Sequence, residues 1–166
     1  MIILKKVLVA TDFSEPSEAA LAFGRELAFT FGAQLVVAHV AENTLTRGFG
    51  GGDGLVFVDP ALQRAVEARA RRQLETLITD EDREQLYAET VVLASNAPAL
   101  AIAEYAKEAA VDLIVLGTHG RGAVAHLLMG SVAERVVRAA PCPVLTVRHP
   151  EHEFVLPDAL VASAGA

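Results

Sequence analysis

The stretch Val111-Asp112-Leu113-Ile114-Val115-Leu116-Gly117-Thr118-His119-Gly120, followed after nine further residues by Gly130-Ser131, decides the fold of this chain. Residues 111–116 have the apolar pattern of a buried parallel strand. The residues after Ser131 are predicted to begin a helix. A strand, a glycine loop and a helix N-terminus in this order can bind phosphate, because backbone N–H groups and the positive end of the helix dipole face the anion. The spacing G-x-x-G-(nine)-G-S therefore predicts a phosphate-binding loop.

Strands and helices alternate along the rest of the chain. Apolar runs predict strands over 7–10, 35–40, 90–94, 111–116 and 144–147. Helices are predicted between Ser14 and Gly32, over 62–78, through 102–109 and over about 131–139. Continuous apolar strands separated by amphipathic helices indicate an α/β fold with a doubly wound parallel sheet covered on both faces.

A doubly wound sheet binds ligands outside the carboxyl ends of its strands, where the strand order reverses. The glycine loop follows strand four, and Thr11-Asp12 follow strand one. If strands one and four are neighbours, both loops meet at that point. Asp12 has two interpretations: it turns the chain into helix one, or its carboxylate accepts a hydrogen bond from a ribose hydroxyl or a base amine.

The size and charge of the chain limit the classes of protein to which it can belong. Its 166 residues predict a single domain, with a domain over residues 1–148 and a C-terminal tail over 149–166. No apolar run reaches the ~20 residues of a membrane span, and the N-terminus lacks the pattern of a secretory signal. The net charge of −7 disfavours nonspecific binding to nucleic acid or to an anionic membrane. One cysteine, Cys142, fits a reducing cytoplasm.

Each remaining motif has a structural interpretation beside its functional one. Gly117 and Gly130 could serve the geometry of the strand end and the helix start alone. Ser131 and Glu134 fit a capping box, which is compatible with phosphate binding by the same hydroxyl. Arg121 could contact a phosphate or be a solvated loop residue.

Histidine and cysteine chemistry is not indicated. His119 and His126 have no partners at metal-ligand spacing, and His39 is predicted to be a packed strand residue. Cys142 is predicted to be a small buried apolar residue. Neither a P-loop nor a dinucleotide fingerprint occurs, and the sequence contains no evident general base or nucleophile arrangement.

Four segments resemble the universal stress protein family. They are Val7-Leu8-Val9-Ala10-Thr11-Asp12-Phe13-Ser14-Glu15, residues 112–122, Gly130-Ser131-Val132-Ala133-Glu134 and Ala140-Pro141-Cys142-Pro143-Val144-Leu145. The resemblance covers roughly residues 4–148. It implies a single five-stranded, Rossmann-like domain of the adenine nucleotide alpha hydrolase type, usually a homodimer, and membership of the ATP-binding branch marked by the glycine loop.

The resemblance also implies site residues. Ala10, Asp12 and Val40 would line the adenosine pocket; Leu116, Gly117 and Gly120 would hold the ribose and phosphate side; Gly130, Ser131 and Val132 would bind phosphates. This chain departs from the family after strand three, where Asn96 stands at a position that is commonly glycine. Asn tolerates a left-handed backbone, so the turn is expected to survive.

We therefore expect a cytoplasmic homodimer that binds ATP, or another adenine nucleotide, together with Mg²⁺ and acts in a stress response or in signalling. The dimer is expected to form through strand 144–147, since an exposed edge strand is usually covered or paired. Two alternatives stay open: a homodimeric interaction module without nucleotide, and a slow ATPase or phosphotransfer protein. If ATP is hydrolysed at all, we expect weak hydrolysis.

Overall fold

A five-stranded parallel sheet forms the centre of the molecule. The computed structural model describes residues 1–46, 59–118 and 130–148. The strands follow the order β3-β2-β1-β4-β5. In chain order they are β1 Lys6–Ala10, β2 Gln34–Ala41, β3 Glu89–Ala94, β4 Leu113–Gly117 and β5 Val144–Val147. The predicted α/β class and doubly wound sheet are confirmed.

Five α-helices connect the strands within the described ranges. They are α1 Glu15–Phe31, α2 Pro60–Leu77, α3 Asp80–Leu86, α4 Pro98–Glu108 and α5 Ser131–Ala139, and a short 3₁₀ helix spans Thr44–Thr46. Helix α1 begins after Ser14, carries Pro16 in its first turn and ends at Gly32, as the sequence predicts. Gly32 has the left-handed φ of 61° that favours glycine at a helix end.

Helices cover both faces of the sheet. On one face, α1 packs against Val7, Val9 and Val115, together with apolar residues of α2 and α3. On the other face, α4 and α5 pack against Leu8 and Ile114. Because helices bury both faces of the sheet, the central strands are apolar along their whole length.

Helix α3 and the start of β4 are two of the differences from the sequence prediction. Helix α3 was not predicted; its N-cap is Thr79, whose hydroxyl accepts a hydrogen bond from Asp82 N–H at 3.1 Å. Strand β4 begins at Leu113 rather than at Val111, because Val111 N–H still bonds to Ala106 at the end of α4. Asp112 also precedes the strand, and its carboxylate accepts the N–H groups of Lys5 and Lys6 at 2.7 and 2.9 Å.

Several predicted features lie outside the described residues. They are the glycine-rich segment 47–58, the loop 119–129 and the tail 149–166. Within the described ranges, no helix has both the length and the apolar character needed to cross a membrane.

Candidate functional site

The strand order reverses between β1 and β4, and this brings several of the predicted site residues to one edge of the sheet. The two strands pair in parallel, with Ala10 opposite Leu116. Asp12 follows β1 and Gly117 ends β4, so both lie at the carboxyl edge of the sheet. Val40 lies near the carboxyl end of the adjoining β2. The condition set by the sequence, that strands one and four are neighbours, is therefore confirmed, and the chain leaves both strands at the same edge of the sheet.

The loop after β1 is held by its own polar side chains. Thr11 is buried, and its hydroxyl lies 2.9 Å from that of Ser17 in the first turn of α1. The Oδ1 atom of Asp12 accepts hydrogen bonds from the N–H and the hydroxyl of Ser14. The turn role considered for Asp12 is thus observed, and its contact with a nucleotide remains a prediction.

His39 reaches this loop from β2. Its Nδ1 lies 2.8 Å from the backbone oxygen of Thr11, and its ring centroid lies 4.4 Å from that of Phe13, with the rings tilted by 39°. Phe13 has a left-handed φ of 64°. The sequence predicted only a packed strand residue here, since no pattern along the chain signals a contact with a loop 28 residues away.

Gly117 lets the first turn of α1 approach the end of β4. A Cβ atom at this position would lie 2.8 Å from the backbone oxygen of Pro16. This close approach is enough to explain the glycine at position 117. It agrees with the structural interpretation, in which Gly117 serves the geometry of the strand end. Beyond it, Thr118 donates its N–H to Val147 of β5 at 2.8 Å.

The start of α5 differs from the predicted capping box. Gly130 is the N-cap with φ −70° and ψ 154°, and its N–H donates to the Thr118 oxygen at 2.6 Å. Ser131 is the first helical residue rather than the N-cap, so the Ser131–Glu134 box is wrong. The Glu134 carboxylate instead pairs with Arg138 at 2.8 Å.

The amides of the first turn of α5 are candidate donors at this edge. The first intrahelical bond runs from Glu134 N–H to the Gly130 oxygen. The N–H groups of residues 131–133 precede that bond and have no intrahelical acceptor. A helix start of this kind can bind an anion through these N–H groups, with the positive end of the helix dipole behind them. The candidate residues Gly120 and Arg121 lie outside the described ranges.

A cleft of about 480 Å³ opens beside β2 and β3. It is lined by Val40, Glu42, Ser95, Asn96 and Pro98. Asn96 does not have the left-handed backbone that was considered for it. Its side chain instead joins two loops: Oδ1 accepts Asn43 N–H and Nδ2 donates to the Asn43 oxygen, both at 3.0 Å.

Metal and thiol chemistry receives no support from the described part of the chain. There, no group of three His, Cys, Asp or Glu side chains could hold a metal ion. Cys142 is half-buried against the α4–α5 face of the core, and burial raises the pKa of its thiol. A raised pKa keeps the thiol protonated; Cys142 packs on the core as predicted but is half-buried rather than buried.

Comparison with known proteins identifies the family to which this chain is similar. The sequence model of the universal stress protein family matches residues 4–148. The "Universal stress protein in QAH/OAS sulfhydrylase 3'region" of Thermus aquaticus is 37% identical over 145 residues, which cover 87% of this chain and 98% of that protein.

Solved structures agree. A protein of the universal stress protein family from Burkholderia pseudomallei is 30% identical with a TM-score of 0.64, over 87% of this chain and 96% of that one. A universal stress protein in complex with cAMP is 26% identical with a TM-score of 0.55, over 88% and 98% of the two chains. From the family match, the relatives and the shared fold, we conclude that this chain belongs to the universal stress protein family.

Proposed function

We propose that this chain binds an adenine nucleotide at the carboxyl edge of β1 and β4, and that the ligand is ATP with Mg²⁺. The observation that carries the proposal is the placement of two different recognition elements at one edge of the sheet. The carboxylate of Asp12 can accept from a ribose hydroxyl or a base amine, and the first-turn amides of α5 can donate to phosphates. The relative that holds cAMP supports an adenine nucleotide as the ligand class.

Magnesium fits this proposal as a partner of the nucleotide. Mg²⁺ keeps several waters and is commonly bound through substrate phosphates rather than by an all-protein cage. The described residues offer no such cage. The phosphates would thus supply the main ligands of the ion, while the chain supplies backbone donors to the same phosphates.

In this proposal the protein is cytoplasmic and couples its nucleotide state to a stress response or to signalling. At the described part of this edge, the Asp12 carboxylate accepts hydrogen bonds from Ser14, and the sequence contains no evident general base. We therefore expect at most weak ATP hydrolysis. Label that stays on the protein after incubation with [γ-³²P]ATP would instead favour phosphotransfer.

Saturating Mg-ATP should raise the melting temperature. A ligand at 100 times its Kd stabilises the native state by about 2.7 kcal/mol, which corresponds to a shift of roughly 5–10 °C for a chain of this size. Differential scanning calorimetry with ATP, ADP, cAMP and GTP tests this expectation, and native mass spectrometry of freshly purified protein identifies any retained nucleotide. An unchanged melting temperature with every nucleotide would contradict the proposal and favour the interaction module.

The proposed homodimer forms through β5. Among the described strands, this edge strand pairs with β4 alone, and Leu145 on it is 36% exposed. An exposed edge with an apolar side chain is a template for pairing with a second copy. In analytical ultracentrifugation at micromolar concentration we expect a dimer, and Leu145→Lys should shift it to monomer.

Leu100→Lys is the matched control for that experiment. Leu100 is 53% exposed on α4, outside the edge strand. The control should remain dimeric, because it adds the same charge without touching β5. Wild-type protein that sediments only as a monomer would refute the dimer.

A further inference from the structure

We infer that His39 is a positioning residue of the nucleotide site, which holds Asp12 by fixing the residues on both sides of it. The inference rests on the proposed nucleotide function. It assigns to this strand histidine a role in ligand affinity rather than in packing alone.

The hydrogen bond to Thr11 fixes the residue before Asp12. A backbone oxygen can only accept, so Nδ1 of His39 carries the proton in the 2.8 Å contact. Thr11 also donates its N–H to the Ala38 oxygen of β2 at 2.9 Å. Both backbone groups of Thr11 are therefore tied to β2, the second of them through the His39 side chain.

The ring contact fixes the residue after Asp12. Phe13 has a φ of 64°, a backbone conformation that is uncommon for a bulky side chain and needs support from its surroundings. Its N–H donates to the Thr11 hydroxyl at 3.0 Å. Its ring lies against His39, with the centroids 4.4 Å apart.

Asp12 therefore stands in the chain between Thr11 and Phe13, the two residues that His39 contacts. Its carboxylate is also directed by Ser14, whose N–H lies 3.2 Å from Oδ1. A carboxylate that must meet a ribose or a base gains affinity when its backbone is fixed before the ligand arrives. Loss of the His39 hydrogen bond should weaken binding through Asp12, with little change elsewhere.

A double-mutant cycle tests this coupling. His39→Phe keeps a ring beside Phe13 and removes the donor, whereas His39→Asn keeps an N–H donor near the position of Nδ1. By isothermal titration with Mg-ATP we expect His39→Phe to raise Kd about tenfold and His39→Asn about threefold or less, as for residues that share one hydrogen-bond network. In an Asp12→Ala background, His39→Phe should change Kd less than about twofold.

The outcomes separate the two proposals. Equal effects of His39→Phe with and without Asp12 would show a packing role and overturn the inference, as would an unchanged Kd in an otherwise wild-type chain. A wild-type chain that binds no adenine nucleotide would overturn the proposed function and this inference with it. If His39→Phe does not fold, His39→Gln takes its place with the same expected result, since its longer side chain carries the amide away from Thr11.

Discussion

Replacing Arg25 by methionine should lower the free energy of unfolding by about 3 kcal/mol at pH 7, because it leaves a buried carboxylate without its charged partner. Arg25 of α1 donates its Nε to both carboxylate oxygens of Asp82 in α3, at 2.9 and 3.1 Å. Its Nη2 donates to the same carboxylate and to the Leu77 oxygen at the end of α2. The Asp82 side chain is 7% exposed.

The effect should diminish in acid. Burial opposes ionisation of Asp82, but hydrogen bonds from Arg25 and Thr79 outweigh it and lower the pKa of the carboxyl below its usual value. A carboxyl with a lowered folded-state pKa contributes stability above its unfolded pKa of about 3.9, and this stability is lost as the pH falls through the folded-state pKa. The difference between wild type and Arg25→Met should therefore be full at pH 7 and shrink below about pH 4.

Arg83→Met is the matched control. Arg83 lies on α3 itself and pairs with Glu75 of α2, but the two side chains are 42% and 50% exposed. An exposed pair contributes less than about 1 kcal/mol, so urea unfolding should separate the two variants clearly. Equal losses for both variants, or a pH-independent loss for Arg25→Met, would contradict the stabilising role assigned to the Arg25–Asp82 ion pair.

The Arg25–Asp82 ion pair and the short length of α3 explain why this helix was not predicted from the sequence. Strands β1, β2 and β4 are continuous apolar runs, and such runs predict a buried parallel strand without knowledge of any partner. Helix α3 has seven residues and is stabilised by Arg25, a residue 57 positions away from Asp82. The sequence does carry a local start signal, Thr79 followed by three acidic residues in the first turn, but seven residues are too few to show a helical apolar period.

In the candidate site, too, some features could be predicted from the sequence and others could not. Asp12 and Gly117 were predicted because they follow strands that the apolar pattern identifies, and the parallel topology places strand ends together. The contacts of His39 with Thr11 and of Asn96 with Asn43 join loops that only the folded sheet brings close. The capping box failed because Ser131 and Glu134 fit it by spacing alone, whereas the helix starts with Gly130 as its cap.

Gly130→Val should reduce ATP affinity by at least about 100-fold, which is about 2.7 kcal/mol of binding free energy. If the first-turn amides of α5 bind phosphates, the anion must approach the backbone where Gly130 caps the helix, and a branched side chain there occupies that space. The φ of −70° and ψ of 154° at Gly130 are values that valine adopts readily. The variant should therefore fold and lose binding without a backbone penalty.

Ser131→Ala separates this steric effect from side-chain recognition. Ser131 is exposed at the first helical position of α5 and is not its N-cap. Since backbone N–H groups supply the donors in the proposed site, removing one hydroxyl should weaken ATP binding only about two- to fivefold, as for a single ordinary hydrogen bond. Titration calorimetry with Mg-ATP, alongside the melting temperature of each variant without ligand, measures both effects. A folded Gly130→Val chain that keeps wild-type affinity would place the phosphates away from α5 and refute the site, because no backbone donor at that helix start could then contact them.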